Sequence, residues 1–285
     1  MEKLQDSACE YLSGVCPVWC PGCGYYGILS SLIEAFAELG VPSHELALVS
    51  GIGCASRLPY FVKAYGFHGI HGRALPIAQG VKLANPKLTV VVVGGDGDGL
   101  AIGGGHLPHA ARNNVDFTYL LFNNAIYGMT KGQFSPTTML SAVTKTSPFG
   151  LPGETVNPAA LAIVYGASFV ARGFSVKKEH LKNLILEGIR HRGFSFIEIL
   201  ASCASFNTTD MNVARIIKAM ASVPSDHDPA KPLEALRLAT HEEKIYLGVL
   251  HRAERPTLED RCSEIQRAAR ARGGGAYADL VAQFA

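Results

Sequence analysis

The β-branched run at 88–93 is opened by Asn85-Pro86 and closed by Gly94-Gly95-Asp96-Gly97-Asp98-Gly99, and it constrains the fold more than any other segment. A short apolar stretch bounded by turn residues reads as a strand buried on both faces. Such a strand needs helices above and below it, and helical patterns do surround this one. Residues 26–39 carry apolar side chains at helical spacing and stop at Gly40-Val41-Pro42. Residues 45–49, 117–122, 168–171 and 194–200 read as further strands, with helices expected over 105–113, 158–165 and 177–191. Strand alternating with helix predicts an α/β fold with a parallel sheet flanked by helices.

Composition removes whole classes of function. Lys+Arg 26 against Asp+Glu 24 leaves a charge of +2, without the basic excess that general nucleic-acid binding requires. No apolar run approaches the roughly 20 residues of a membrane span, and residues 1–10 lack a secretory pattern. A soluble cytoplasmic protein is expected, with no nucleic-acid or membrane partner. Seven cysteines in such a chain point to metal or redox chemistry rather than to disulfides. Residues 124–157 have no clean period and read as a binding loop. Two parts are expected: residues 1–210 as the ligand-binding domain, and 211–285, charged and Ala-rich, as a helical C-terminal extension for subunit contact.

The cysteines admit several readings. Cys20-Pro21-Gly22-Cys23 is a CxxC in a turn leading into a helix. It suits a redox dithiol, half of a zinc site or part of an iron–sulfur site. No strand precedes it, and no second close pair accompanies it. Cys54 and Cys203 each follow an expected strand, so both can reach the carboxyl edge of one parallel sheet. Two clustered and two distant thiolates can surround a cuboidal cluster, whereas a lone cysteine is by default a small buried apolar residue. Cys9, Cys16 and Cys262 are left over, with no function assigned.

The second constellation is Gly95-Asp96-Gly97, followed after residues 98–122 by Asn123-Asn124 at the end of the next strand. A GDG with NN this far downstream is the pattern of a thiamin diphosphate site. Mg²⁺ wants oxygen ligands in octahedral geometry; Asp96 would give a carboxylate, Asn124 an amide oxygen and Ile126 a carbonyl. The remaining positions go to diphosphate and water, and the glycines let the backbone approach the phosphates. An EF-hand loop is refuted by Leu100 and Ile102, and a dinucleotide fingerprint by the acids beside Gly97 and Gly99. His68-Gly69-Ile70-His71-Gly72-Arg73 is either a polar turn or a set of donors for diphosphate or substrate.

Taken in order, Trp19-Cys20-Pro21-Gly22-Cys23-Gly24, Gly51-Ile52-Gly53-Cys54, His71-Gly72-Arg73, Gly95-Asp96-Gly97-Asp98, Asn123-Asn124-Ala125-Ile126-Tyr127-Gly128 and Thr130-Lys131-Gly132-Gln133 resemble one family. It is the β subunit of 2-oxoacid:ferredoxin oxidoreductases, and the likeness is closest to the 2-oxoglutarate branch, over roughly residues 15–210. The resemblance implies a transketolase-like thiamin diphosphate-binding fold with Mg²⁺ and one [4Fe–4S] cluster. It assigns Cys20, Cys23, Cys54 and Cys203 to the cluster, although the turn around Cys203 fits the family only in part. Asp96, Asn124 and Ile126 match the magnesium positions, and His71, Gly72, Gly95, Gly97 and Asp98 the cofactor-binding ones. Arg57, Met129 and Lys131 match positions near the substrate, and a cation at Arg57 or Lys131 favours a second carboxylate.

The implied reaction is oxidative decarboxylation of a 2-oxoacid with coenzyme A, reducing ferredoxin and reversible in principle. The pyrimidine side of the cofactor would come from an α subunit, giving an (αβ)₂ assembly inactive without it. Two alternatives stay open at this point: a pyruvate-specific or broad-specificity member, and a non-catalytic iron–sulfur electron-transfer subunit. A zinc-stabilised module built on Cys20 and Cys23 is a third.

Overall fold

A computed structural model of the chain describes residues 8–209, 211–272 and 277–284. It places the β-branched run at the centre of a sheet. Strand β3 (Thr89–Gly95) lies between β1 (Leu46–Ser50) and β4 (Phe117–Asn123) and runs parallel to both. Its side chains alternate as a two-faced strand requires: Val91 and Val93 pack into one core, Val90 and Val92 into the other. The first core is closed by α1 (Tyr25–Leu39) and α5 (Lys178–Arg190). The second is closed by α2 (Ala74–Ala84), α3 (Leu107–Asn113) and α4 (Pro158–Val164). Helix α1 ends where the sequence says it should: Gly40 takes a left-handed φ of 63° and its N–H caps the Phe36 carbonyl.

The remaining strands extend the sheet. Strand β2 (Tyr65–His68) pairs with β1 at one edge, and β6 (Phe194–Leu200) joins β4 to β5 (Phe169–Phe174). All of these neighbours are parallel. Beyond residue 210 the expected helices are present as α6 (Val213–Ala219), α7 (Pro232–Ala239), α8 (Leu258–Ala271) and α9 (Tyr277–Ala282). Two strands lie among them that the sequence reading did not anticipate, β7 (Met220–Ser222) and β8 (Ile245–Arg252). Strand β8 pairs antiparallel with β5 and parallel with β7, so the order is β2-β1-β3-β4-β6-β5-β8-β7. Leu250 of β8 is fully buried and shares the second core with Ala235 and Ala239 of α7. The C-terminal segment therefore contributes to the sheet as well as supplying helices. The expectations for residues 1–7 and Gly273-Gly274-Gly275 fall outside the described residues. Among those described, no helix is long and apolar enough to cross a membrane.

Candidate active site

The turns after β1, β3, β4 and β6 all emerge at the carboxyl edge of the sheet, where open α/β sheets bind ligands. After β3 the chain turns through Asp96 and Gly97 into a short π-helical turn, Asp98–Ile102. Asp96 is 1% exposed. Its Oδ1 accepts the Asn124 N–H at 3.4 Å and its Oδ2 the Thr137 hydroxyl at 2.8 Å. Burial pushes the carboxyl above its usual range, opposed by hydrogen bonds from Ser135, Thr137 and the Asn124 backbone. No ion pair to Asp96 occurs among the described residues. A buried carboxylate in that position suits a cation.

Asp98 has a different task. Its Oδ1 accepts the N–H groups of Ile52 at 3.0 Å and Gly72 at 2.7 Å, and it lies 3.0 Å from His71 Nδ1. One carboxylate thus pins the turn after β1 and the turn before α2 against the turn after β3. Gly51 makes room for it, since a Cβ there would stand 2.2 Å from Asp98 Oδ2. Gly97 lets an aromatic ring close over the turn: the Tyr127 hydroxyl donates to the Gly97 carbonyl at 2.9 Å, and a Cβ on Gly97 would meet the ring at 2.3 Å.

The asparagine pair is also divided in its work. Asn123 is turned into the core, where its Nδ2 donates to Glu198 Oε1 at 2.8 Å and its Oδ1 accepts the Ala125 N–H at 3.2 Å. Asn124 lines a cavity of about 520 Å³ together with His71, Gly95, Asp96, Gly97, Asp98 and Ile126. Ala125, which follows the pair, has a φ of 55°, a left-handed conformation that reverses the chain. Carbonyls at the turn are taken up from outside: Thr138 donates to the Ala125 oxygen at 2.7 Å and Asn207 to the Asn124 oxygen at 3.1 Å. The Ile126 carbonyl accepts no hydrogen bond among the described residues. A carboxylate, an amide oxygen and a free carbonyl on one wall form the hard oxygen set that Mg²⁺ prefers. Gly72, one of the expected cofactor residues, does not line this cavity, and its N–H is engaged by Asp98.

A second cavity, about 220 Å³, is lined by all four expected cluster cysteines, Cys20, Cys23, Cys54 and Cys203. Trp19 fixes their frame. Its indole N–H donates to the Cys54 carbonyl at 2.7 Å, and its ring meets Tyr25, Tyr26 and Phe61 edge-on. The Gly24 N–H donates to the Ser202 carbonyl at 3.0 Å, which ties the CxxC turn to the turn carrying Cys203. Burial, with the other three thiols adding to it, pushes the Cys23 thiol up to about 12, and burial likewise raises Cys54. No three ligating side chains among the described residues converge on a point that would hold a single ion. One zinc would need its thiolates within about 2.3 Å of a common centre. Thiols spaced around a cavity suit a cluster with several irons. Cys9, Cys16 and Cys262 line neither cavity.

Arg57 and Lys131 line the thiol cavity and not the larger one, whereas Met129 lines both. Lys131 has a φ of 82°, a strained conformation for a side-chain-bearing residue. The two cavities share Tyr25, Cys54, Asn124, Gly128 and Met129, so a single wall separates them. Sequence reasoning missed Thr137 and the buried partners of Asn123. Ser135-Pro136-Thr137-Thr138 falls within the stretch read only as a binding loop, and nothing in the residues marks its particular role. A wider cavity of about 800 Å³, lined by Arg190, Arg192, Arg252 and Arg255 among others, opens where α5 ends and β6 begins, at the opposite edge of the sheet.

Comparison with known proteins agrees with this geometry. Residues 50–199 match the family of thiamine pyrophosphate enzymes through its C-terminal TPP-binding domain. The β subunit of 2-oxoacid:ferredoxin oxidoreductase 2 from Aeropyrum pernix is 42% identical over 261 residues, 87% of this chain and 84% of that one. The 2-oxoglutarate oxidoreductase subunit KorB of Mycobacterium tuberculosis is 47% identical over 197 residues, 69% of this chain and 53% of its own length. Among solved structures, a 2-oxoglutarate:ferredoxin oxidoreductase from Magnetococcus marinus, with 2-oxoglutarate, coenzyme A and succinyl-CoA bound, superposes with a TM-score of 0.93. It is 41% identical, and the match covers 97% of this chain and 95% of that one. With the GDG and NN turns facing one cavity and four cysteines facing the next, the chain belongs to the β subunits of the thiamin diphosphate-dependent 2-oxoacid:ferredoxin oxidoreductases.

Proposed function

We propose that this chain serves a 2-oxoglutarate:ferredoxin oxidoreductase, which converts 2-oxoglutarate and coenzyme A to succinyl-CoA and CO₂ while reducing ferredoxin, and which also runs in reverse. The observation that carries the proposal is the shared wall between the cavity of Asp96 and Asn124 and the cavity of the four cysteines. Bound thiamin diphosphate would supply the chemistry for breaking the bond to the substrate carboxylate, and a [4Fe–4S] cluster held by the four cysteines would supply one-electron transfer.

The chain's own residues prepare both places. Asp96, the Asn124 amide oxygen and the Ile126 carbonyl offer three oxygen ligands to Mg²⁺ and through it fix the diphosphate. Asp98 holds His71 and the backbone of Gly72 in position beside that site. Tyr127 packs over Gly97 and keeps its turn from opening. Cys20, Cys23, Cys54 and Cys203 ligate the cluster as thiolates, a state that bound iron favours and burial alone opposes. Arg57 and Lys131, which line the thiol cavity together with Met129, supply cations for the far carboxylate of a dicarboxylic oxoacid. Pyruvate has no such group, and the molecules bound in the Magnetococcus structure favour 2-oxoglutarate.

The proposal includes an α subunit that covers the aminopyrimidine side of the cofactor, an (αβ)₂ assembly, a soluble ferredoxin as electron acceptor and a cytoplasmic location. Anaerobic purification of this chain with its α subunit, followed by iron, sulfide and zinc analysis, tests the metal assignment. Iron and sulfide in equal amounts, with no zinc, are expected. Zinc without sulfide would sink the electron-transfer role. The chain expressed alone should turn over no substrate, and full turnover without α would refute the divided cofactor site.

A further inference from the structure

We infer that Thr137 is a positioning residue for the magnesium–diphosphate site, joining the GDG carboxylate to the NN turn through a single hydroxyl. The inference rests on the thiamin diphosphate reading above and goes beyond the three oxygen ligands. Thr137 comes from the irregular loop after β4, yet it is 5% exposed and lies between the two motifs. Its Oγ1 is 2.8 Å from Asp96 Oδ2 and 2.9 Å from Asn123 Oδ1. A hydroxyl has one proton, so it cannot donate to both.

The surroundings decide how that proton is used. Asn123 cannot turn its amide over to become the donor, because its Nδ2 is held by Glu198 Oε1 at 2.8 Å and its Oδ1 by the Ala125 N–H at 3.2 Å. Glu198 is itself locked by Arg172, whose Nε donates to Glu198 Oε2 at 2.7 Å, with both side chains buried in the sheet. The two acceptors facing Thr137 are thus fixed in place, and its single proton serves only one of them at a time. A positive ion on Asp96 settles that competition, because the carboxylate is then satisfied by the cation and the Thr137 proton is free for Asn123. Neighbouring hydroxyls hold the residue there: Ser135 Oγ is 3.3 Å from Thr137 Oγ1, and Thr138 Oγ1 donates to the Ala125 carbonyl at 2.7 Å. The loop is fastened to the metal-binding turn by its own hydroxyls, and Thr137 is the one that lies within reach of both Asp96 and Asn123.

Outer-shell partners of metal ligands typically carry about a 10- to 100-fold share of metal affinity. The test uses the complex co-purified with its α subunit, as wild type, Thr137→Val and Thr137→Ser. Each is equilibrated with thiamin diphosphate at graded Mg²⁺ and desalted, and the retained cofactor is measured as thiochrome. Thr137→Val should need about 10- to 100-fold more Mg²⁺ for half-retention and reach the wild-type amount at saturating Mg²⁺. Thr137→Ser, which keeps the hydroxyl, should stay within about threefold of wild type. A merely structural role would lower retention at every Mg²⁺ concentration and depress the thermal midpoint of the metal-free complex; that pattern overturns the inference, as does a Val variant with wild-type Mg²⁺ dependence. A wild-type complex that retains no thiamin diphosphate at any Mg²⁺ concentration would instead overturn the cofactor reading itself, and this inference with it.

Discussion

The two cavities at the carboxyl edge are built on opposite principles. In the larger one the segments that carry the oxygen atoms are tied before any ligand arrives: Asp96 by Thr137 and Asn124, the 124–126 turn by Thr138 and Asn207, and the flanking turns by Asp98. In the smaller one the frame is tied, through Trp19 and Gly24, while the Cys23 and Cys54 thiols meet only backbone hydrogen-bond partners among the described residues. Burial and their mutual proximity hold Cys23 and Cys54 protonated. A hard cation of small size demands a pre-shaped oxygen set. Thiolates are created by the metal that binds them, so their site needs only a frame with room in it. The difference teaches that the two halves should fail independently.

The largest effect expected follows from that independence. Cys23→Ala should abolish ferredoxin reduction and deplete iron while leaving thiamin diphosphate retention unchanged; loss of both groups together would break the comparison. Asp96→Asn should do the reverse, keeping iron and raising the Mg²⁺ needed for cofactor retention by more than about 100-fold, beyond the range seen for outer-shell partners. Iron content and thiochrome yield measured on the same preparations read both outcomes at once.

A stability effect comes next. Arg172 and Glu198 form an ion pair deep in the sheet, with side chains 7% and 3% exposed. Glu198→Leu leaves the guanidinium buried and unpaired, at a cost of about 3–5 kcal/mol. Because Glu198 also holds Asn123, the same variant should weaken Mg²⁺-dependent cofactor retention and leave iron content alone. Denaturant unfolding and the thiochrome assay check the two parts separately.

The smallest expected effect lies far from either cavity and serves as their control. His191 is held down to about 4, first by burial and then by the Arg252 charge, against an ordinary value of about 6.5. The unfolded chain therefore binds more protons between these two values. The stability linked to this group is complete above about 6.5 and is lost as pH falls towards 4. His191→Gln should flatten the acid limb of the thermal midpoint over that window and change neither iron nor cofactor content. An unchanged acid limb would show that His191 does not govern it.

Much of this was legible in the residues. The strand at 88–93 and the turns that follow the strands announce a parallel sheet with its chemistry at one edge, and both motif sets lie there. The edges of the sheet were not legible. Strand β2 is Tyr-Gly-Phe-His and largely exposed, so it has neither the alternation nor the apolar run that marks a strand. Helix α2 carries Pro76 and Gly80, which look like breakers, although a proline in the first turn costs no hydrogen bond. Strand β8 is Ile-Tyr-Leu-Gly-Val-Leu-His-Arg, and a charged, Ala-rich context hid its apolar content. Within the site, the residue types pointed to Asp96, Asn124 and the four cysteines but not to the residues that hold them in place. Asp98, expected beside the cofactor, lines the larger cavity and also tethers two backbone turns. Thr137 resembles loop and touches the buried Asp96 carboxylate. Such roles depend on contacts between residues distant in the chain, which no local pattern encodes.

The measurement that bears most directly on the central claim is 2-oxoacid-dependent dye reduction by the anaerobically co-expressed complex, with 2-oxoglutarate, pyruvate and a branched-chain oxoacid compared side by side. Preference for 2-oxoglutarate, strictly dependent on coenzyme A and lost in Cys23→Ala with ferredoxin as acceptor, is the result this account predicts. Turnover of pyruvate in its place would keep the fold and cofactors but contradict the roles given to Arg57 and Lys131. No turnover of any of the three, with cluster and thiamin diphosphate both verified in the preparation, would contradict the proposed chemistry altogether.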